Sequence, residues 1–133
     1  MGSVLRAYVV ACTALLVACA GPGEDAPTDA SIEDFCEAKS WMVAEGTDRF
    51  FDSGLPSDDE LVQLAHEWAT ELARTGTPDN MSPEARAGFE KLIDRLEGLE
   101  AGDVESGAFN WDDGAWEKDE EKSFANYVTN TCP

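Results

Sequence analysis

His66 is the only histidine in the chain, and histidine is the usual general acid–base group near neutral pH. On a helical wheel it falls on the flank of an apolar stripe, near Val62 and Ala73. One histidine excludes His-rich metal sites and argues against a Ser-His-Asp or Cys-His apparatus. An inert surface position is the expectation. The 28 Asp and Glu residues supply carboxylates everywhere, so no pair stands out. A carboxylate hydrolase needs two acids facing across a cleft, one with a raised pKa. Calcium is the more serious candidate, because Asn110, Asp112, Glu117 and Glu121 offer hard oxygen ligands in one turn-rich segment. Set on an EF-hand loop, Asn110, Asp112, Gly114 and Glu121 take positions 1, 3, 5 and 12. Gly114 then offers no oxygen side chain, and Ala115 stands where glycine is required. The template fails, and the simpler expectation is that Asp112 or Asp113 caps the last helix. Trp41, His66, Trp111 and Trp116 form the candidate binding surface; the alternative is that the tryptophans plug the ends of a small bundle.

The balance of 28 acidic against 9 basic residues gives a formal charge of −19. Phosphate recognition needs clustered Lys and Arg, so nucleic acid is excluded as a partner. A hydrophobic fraction of 43% over 133 residues is that of one small foldable domain, not of a disordered acidic chain.

Residues 1–18 carry Arg6 followed by an uncharged apolar run, Ala7 to Ala18. The run is shorter than the roughly 20 residues that span a bilayer and has the layout of a secretory signal peptide. It ends Leu16-Val17-Ala18-Cys19, which resembles the lipobox of bacterial lipoproteins. That resemblance implies cleavage before Cys19 and a diacylglycerol on its thiol. The alternative is cleavage after Ala18-Cys19-Ala20, which would release a secreted protein. Cys12 leaves with the signal peptide and Cys19 is lipidated or lost. Cys36 and Cys132 remain, in an exported compartment, with one possible pairing.

The elements that must position these residues follow from the apolar spacing. Residues 19–30 lack any apolar period and suggest a flexible acidic tether carrying the lipidated cysteine. The domain spans 31–133. Ser31 caps a first helix with Ile32, Phe35, Cys36, Lys39 and Val43 on one stripe, closed by Gly46. A loop from Thr47 to Pro56 brings Phe50 and Phe51 under the bundle's end. Ser57-Asp58-Asp59-Glu60 is a capping box opening a second helix, whose stripe is Leu61, Leu64, Ala65, Trp68 and Leu72 before Gly76. Ser82-Pro83 opens a third, with Ala85, Phe89, Leu92, Ile93, Leu96 and Leu99. Residues 102–114 form a Gly- and acid-rich connection. A last helix runs from about Ala115 to Thr131, with Phe124, Tyr127, Val128 and Cys132 inward. The fold expected is an all-α, small four-helix bundle closed by one disulfide.

Gly76 to Asp94, GTPDNMSPEARAGFEKLID, resembles a stretch of small exported actinobacterial lipoproteins of unknown function. The lipobox, the acidic tether, Asp34-Phe35-Cys36 and the final Tyr127-Val128-Thr129-Asn130-Thr131-Cys132 belong to the same likeness. It implies location, disulfide and helical fold, and supplies no catalytic residues. The function expected is that of a lipoprotein held at the extracytoplasmic face of the cell membrane by its anchor on Cys19. It would bind a protein or small-molecule partner, use no cofactor and carry no enzymatic activity. A carboxylate hydrolase, a structural envelope protein and a weak calcium-binding domain are the alternatives.

Overall fold

The computed structural model describes residues 21–51, 53–105, 108–109 and 118–133. The signal peptide and Cys19 lie outside the described residues, as do Trp111, Trp116, Asn110, Asp112 and Glu117. Among the described residues are four α-helices: α1 (Ile32–Phe50), α2 (Asp58–Thr75), α3 (Pro83–Glu97) and α4 (Asp119–Thr131). Together they form a small all-α bundle. Between α3 and α4 lie a single 3-10 turn at Ala101–Asp103 and a minimal antiparallel pair, β1 (Val104–Glu105) with β2 (Ala108–Phe109). That pair sits inside the segment expected to be a Gly- and acid-rich connection.

Three helices start where their serines place them. Ser31, Ser57 and Ser82 each accept a hydrogen bond from the backbone N–H three residues on, at Asp34, Glu60 and Ala85. At Ser57 the box is complete, since the Glu60 carboxylate also accepts from the Ser57 backbone N–H at 2.8 Å. Each cap satisfies a donor that the first turn of a helix leaves without an intrahelical partner. α4 differs: it begins at Asp119 with Lys118 as its N-cap residue and no side-chain cap. Asp112 and Asp113, the expected caps, lie outside the described residues, and the start expected near Ala115 is corrected to Asp119. Acids at Asp119, Glu120 and Glu121 still favour that terminus through the helix dipole.

The core gathers around Phe35, which is fully buried on α1. Its ring meets Phe89 of α3 at 6.3 Å, Phe124 of α4 at 6.4 Å and Tyr127 at 5.8 Å between centroids. Tilted and edge-on rings at this range are the favoured aromatic geometry. α3 and α4 approach so closely that a Cβ on Gly88 would stand 2.3 Å from the Glu120 carbonyl oxygen. Glycine is therefore the residue this crossing requires. The Cys36–Cys132 disulfide ties the second turn of α1 to the residue after α4, with the Cα atoms 5.5 Å apart.

Residues 21–30 do not behave as the expected tether. Ala26 and Gly23 are buried, and Thr77 donates its N–H to Pro27 at 2.9 Å while Ala30 donates to Thr77. The Arg86 guanidinium donates to the Ala26 carbonyl at 2.7 Å and to Thr77 Oγ1 at 2.6 Å. Gly76, at φ 79°, could carry no side chain, because its Cβ would meet the Pro27 carbonyl at 2.1 Å. Backbone carbonyls, invisible to composition, turn this segment into a strap packed on α2 and α3.

Gly46 does not close α1, which continues to Phe50. A mid-helix glycine costs about 1 kcal/mol relative to alanine. Here it admits a neighbour: a Cβ at Gly46 would be 3.3 Å from Leu64 Cδ2 of α2. Thr47 Oγ1 donates to the Val43 carbonyl, and Arg49 pairs with Glu45 on its own helix and Glu67 on α2.

Candidate functional site

The apolar stripe expected along α1 ends early. Phe35 and Ala38 are its only buried residues, so from Lys39 onward no side chain of the helix is fully buried. Val43 is 74% exposed and Ile32 46%, although both were expected to face inward. Phe51 and Leu55 are 82% and 91% exposed, so of the adjacent aromatics Phe51 does not pack under the bundle's end, while Phe50 is half-buried. Instead the chain turns back through Gly54, at φ 92°, and leaves an apolar groove of about 450 Å³. Met42, Val43 and Gly46 form one wall, Phe50, Phe51 and Leu55 the end, and Leu61 and Leu64 of α2 the floor. Exposed side chains of this size, contiguous rather than scattered, are what distinguish an interaction patch from ordinary surface.

The groove has an acidic border. Asp58 and Glu60 precede Leu61 and Leu64 by one turn of α2 and so share their face. Arg49 offers little counterweight, since its guanidinium is held by Glu45 at 2.7 Å and Glu67 at 2.6 Å. Those two carboxylates raise the Arg49 pKa, and the bond from Arg49, with a second from Gln63, holds Glu67 low. Glu60 is also held low, by the backbone N–H and hydroxyl of Ser57. The border therefore stays negatively charged at neutral pH.

A second, polar concavity of about 370 Å³ lies between α1 and α2 at their other ends, lined by Asp34, Glu37, Glu71 and Arg74. Three of these four side chains are already engaged. Asp34 accepts from Ser31 Oγ at 2.6 Å, and Arg74 Nε donates to Glu71 at 3.1 Å. The described carboxyls that depart from their ordinary value, Glu60, Glu67 and Glu120, are all lowered. Glu120 owes this chiefly to Lys91. A general acid needs the opposite shift.

The described residues singled out for chemistry, Trp41, His66 and Glu121, do not converge. His66 is exposed, and its Nε2 lies 3.1 Å from the Leu99 carbonyl. A carbonyl only accepts, so Nε2 carries the proton and the ring ties α2 to the chain beyond α3. Trp41 is half-buried on α1. Neither residue lines the apolar groove. Trp68, assigned only to the core stripe, has a further role: its indole N–H donates to the Ala38 carbonyl at 2.9 Å and joins α2 to α1. Glu121, the last of the calcium candidates, is buried and accepts from Arg95 at 2.8 Å in the α3–α4 seam. Among the described residues no cluster of three or more His, Cys, Asp or Glu could hold a metal ion. No described helix is long and apolar enough to cross a membrane.

Sequence reasoning missed the groove because it assigned Val43, Phe50 and Phe51 to the interior. The signal that could have found it is the pairing of Gly46 with Phe50, Phe51 and Leu55, apolar side chains beyond the last residue that the other helices cover. Comparison with protein-family models, with curated proteins and with solved structures finds no match.

Proposed function

We propose that this chain is a lipoprotein anchored through Cys19 at the extracytoplasmic face of the membrane, where it acts as a binding module through the α1–α2 groove. The groove carries the reading: Val43, Phe51 and Leu55 stay in water at 74%, 82% and 91% exposure. Burying one such side chain is worth roughly 1.5–3 kcal/mol, a gain this fold forgoes and a partner can collect. Among the described residues the hydrolase alternative has no carboxyl held high to work with, and a purely structural envelope role gives no reason for the groove. The Cys36–Cys132 bond supports an oxidising compartment, and the Leu16 to Cys19 motif supports the anchor.

The strap supports a particular mounting. Gly21 begins a turn that hydrogen-bonds to Glu24, and only Ala20 separates it from Cys19. Two residues reach about 7 Å at most, so the lipid would sit close under the body of the domain. The groove, at Leu61 on α2, lies fifteen residues from Gly76, where the strap docks. That is about 22 Å of helix. The test is fractionation with mass spectrometry of the N-terminus, followed by surface cross-linking of wild type and Phe51→Ser/Leu55→Ser. The reading expects a diacylated Cys19 and a cross-linked species that the double variant loses. An unmodified N-terminus, or a pattern unchanged by the variant, contradicts it.

A further inference from the structure

We infer that the occupant of the groove is an amphipathic segment of a partner protein, with apolar residues on one face and Lys or Arg beside it. This rests on the binding-module reading above. Shape comes first. Ligand pockets enclose most of a small molecule, whereas Phe51 and Leu55 project from the end of this groove at 82% and 91% exposure. Such walls contact one side of a helix or strand and enclose nothing. Their direction fits the helix-in-groove mode, in which apolar anchors at i, i+3 or i+4 and i+7 lie along a channel between two helices.

Charge then selects among occupants. Asp58 and Glu60 stand one turn of α2 before Leu61 and Leu64 on the groove's floor, and the one cation of the lining segment, Arg49, is spent on Glu45 and Glu67. A second copy of the chain would bring another −19 against the same border, and like charges across an interface cost affinity. An anionic lipid surface would be repelled in the same way. A segment with cations beside its apolar face gains from both features, and electrostatic attraction would also speed its encounter.

The probe is a helical peptide with Leu at i, i+3, i+4 and i+7 and Lys on both flanks, labelled for fluorescence anisotropy against the exported chain. Two control peptides replace Lys by Glu, or Leu by Ser. The Leu/Lys peptide is expected to bind at least about tenfold more tightly than either control. It should weaken in about 1 M salt, where the screening length is about 3 Å. Phe51→Ser/Leu55→Ser should weaken it tenfold while leaving the melting temperature unchanged, because both side chains are already in water. Equal binding of the Leu/Glu peptide overturns the charge assignment and leaves the groove as a binding site. Binding to neutral phosphatidylcholine vesicles, or self-association by sedimentation, that the double variant abolishes makes the occupant lipid or a second copy and overturns the inference. If no peptide binds and the double variant leaves the surface cross-links unchanged, the reading it rests on falls as well.

Discussion

Gly88→Ala is the substitution whose effect the structure fixes most tightly. The added Cβ would stand 2.3 Å from the Glu120 carbonyl oxygen and 2.8 Å from Phe124 Cβ, where ordinary contact begins near 3.4 Å. α3 and α4 must separate by about 1 Å, and a gap of that size forfeits a quarter to a half of each dispersion contact along it. The contacts at stake include the Phe89–Phe124 ring pair at 6.0 Å. Overpacking a tight core costs about 3 kcal/mol at the upper end of its usual range. Alanine's better helix propensity returns about 1 kcal/mol. The net loss of about 2 kcal/mol lowers the melting temperature by about 8 °C, at roughly 4 °C per kcal/mol for a domain of this size. Gly102→Ala is the control, since nothing lies within 4 Å of its Cβ and its φ is not positive. It should be neutral or gain about 0.5 kcal/mol through the unfolded state. Thermal melts by circular dichroism read both. A Gly88→Ala protein melting within about 2 °C of wild type, or above it, would refute the reasoning.

Replacing Cys36 and Cys132 by alanine opens a loop closed across 96 residues. The chain-entropy model puts the loss at up to about 4.7 kcal/mol, read by urea denaturation, and a loss below about 1 kcal/mol would contradict a stapling role. Acid should weaken the fold through Glu60, Glu67 and Glu120. Their folded pKa values lie below 4.5, so their contribution is complete above that pH and fades as pH falls through the lower folded values. The melting-temperature gap between wild type and Glu60→Gln should therefore be widest near neutrality and close toward pH 3. A gap that widens on acidification would reverse the assignment.

What could be read from the sequence was whatever acts locally or through covalent logic. Ser31, Ser57 and Ser82 announce their helices because a cap is set within four residues. Cys36 and Cys132 are the pair that the signal-peptide expectation leaves in the domain. Phe35, Phe89, Leu92 and Phe124 sit where helical periodicity places them. The misreadings all depend on what lies across space. Gly46 looks like a stop until Leu64 is seen against it, and Gly88 looks unremarkable until α4 crosses there. Residues 21–30 look like a tether because their docking uses backbone carbonyls and the distant Arg86. Periodicity marks Val43 as apolar-faced but cannot say that the bundle ends before it, and the groove follows from that fact.

The central claim is that this exposed end of α1 and α2 is the working face of the molecule. A photo-activatable amino acid at Leu55, compared in living cells with one at the exposed Asn126 of α4, tests it directly. The account predicts a discrete protein adduct from position 55 and none from 126. Peptide mapping should place the 55 adduct in an apolar segment flanked by Lys or Arg. Adducts from both positions alike, or from 55 to lipid alone, would contradict it.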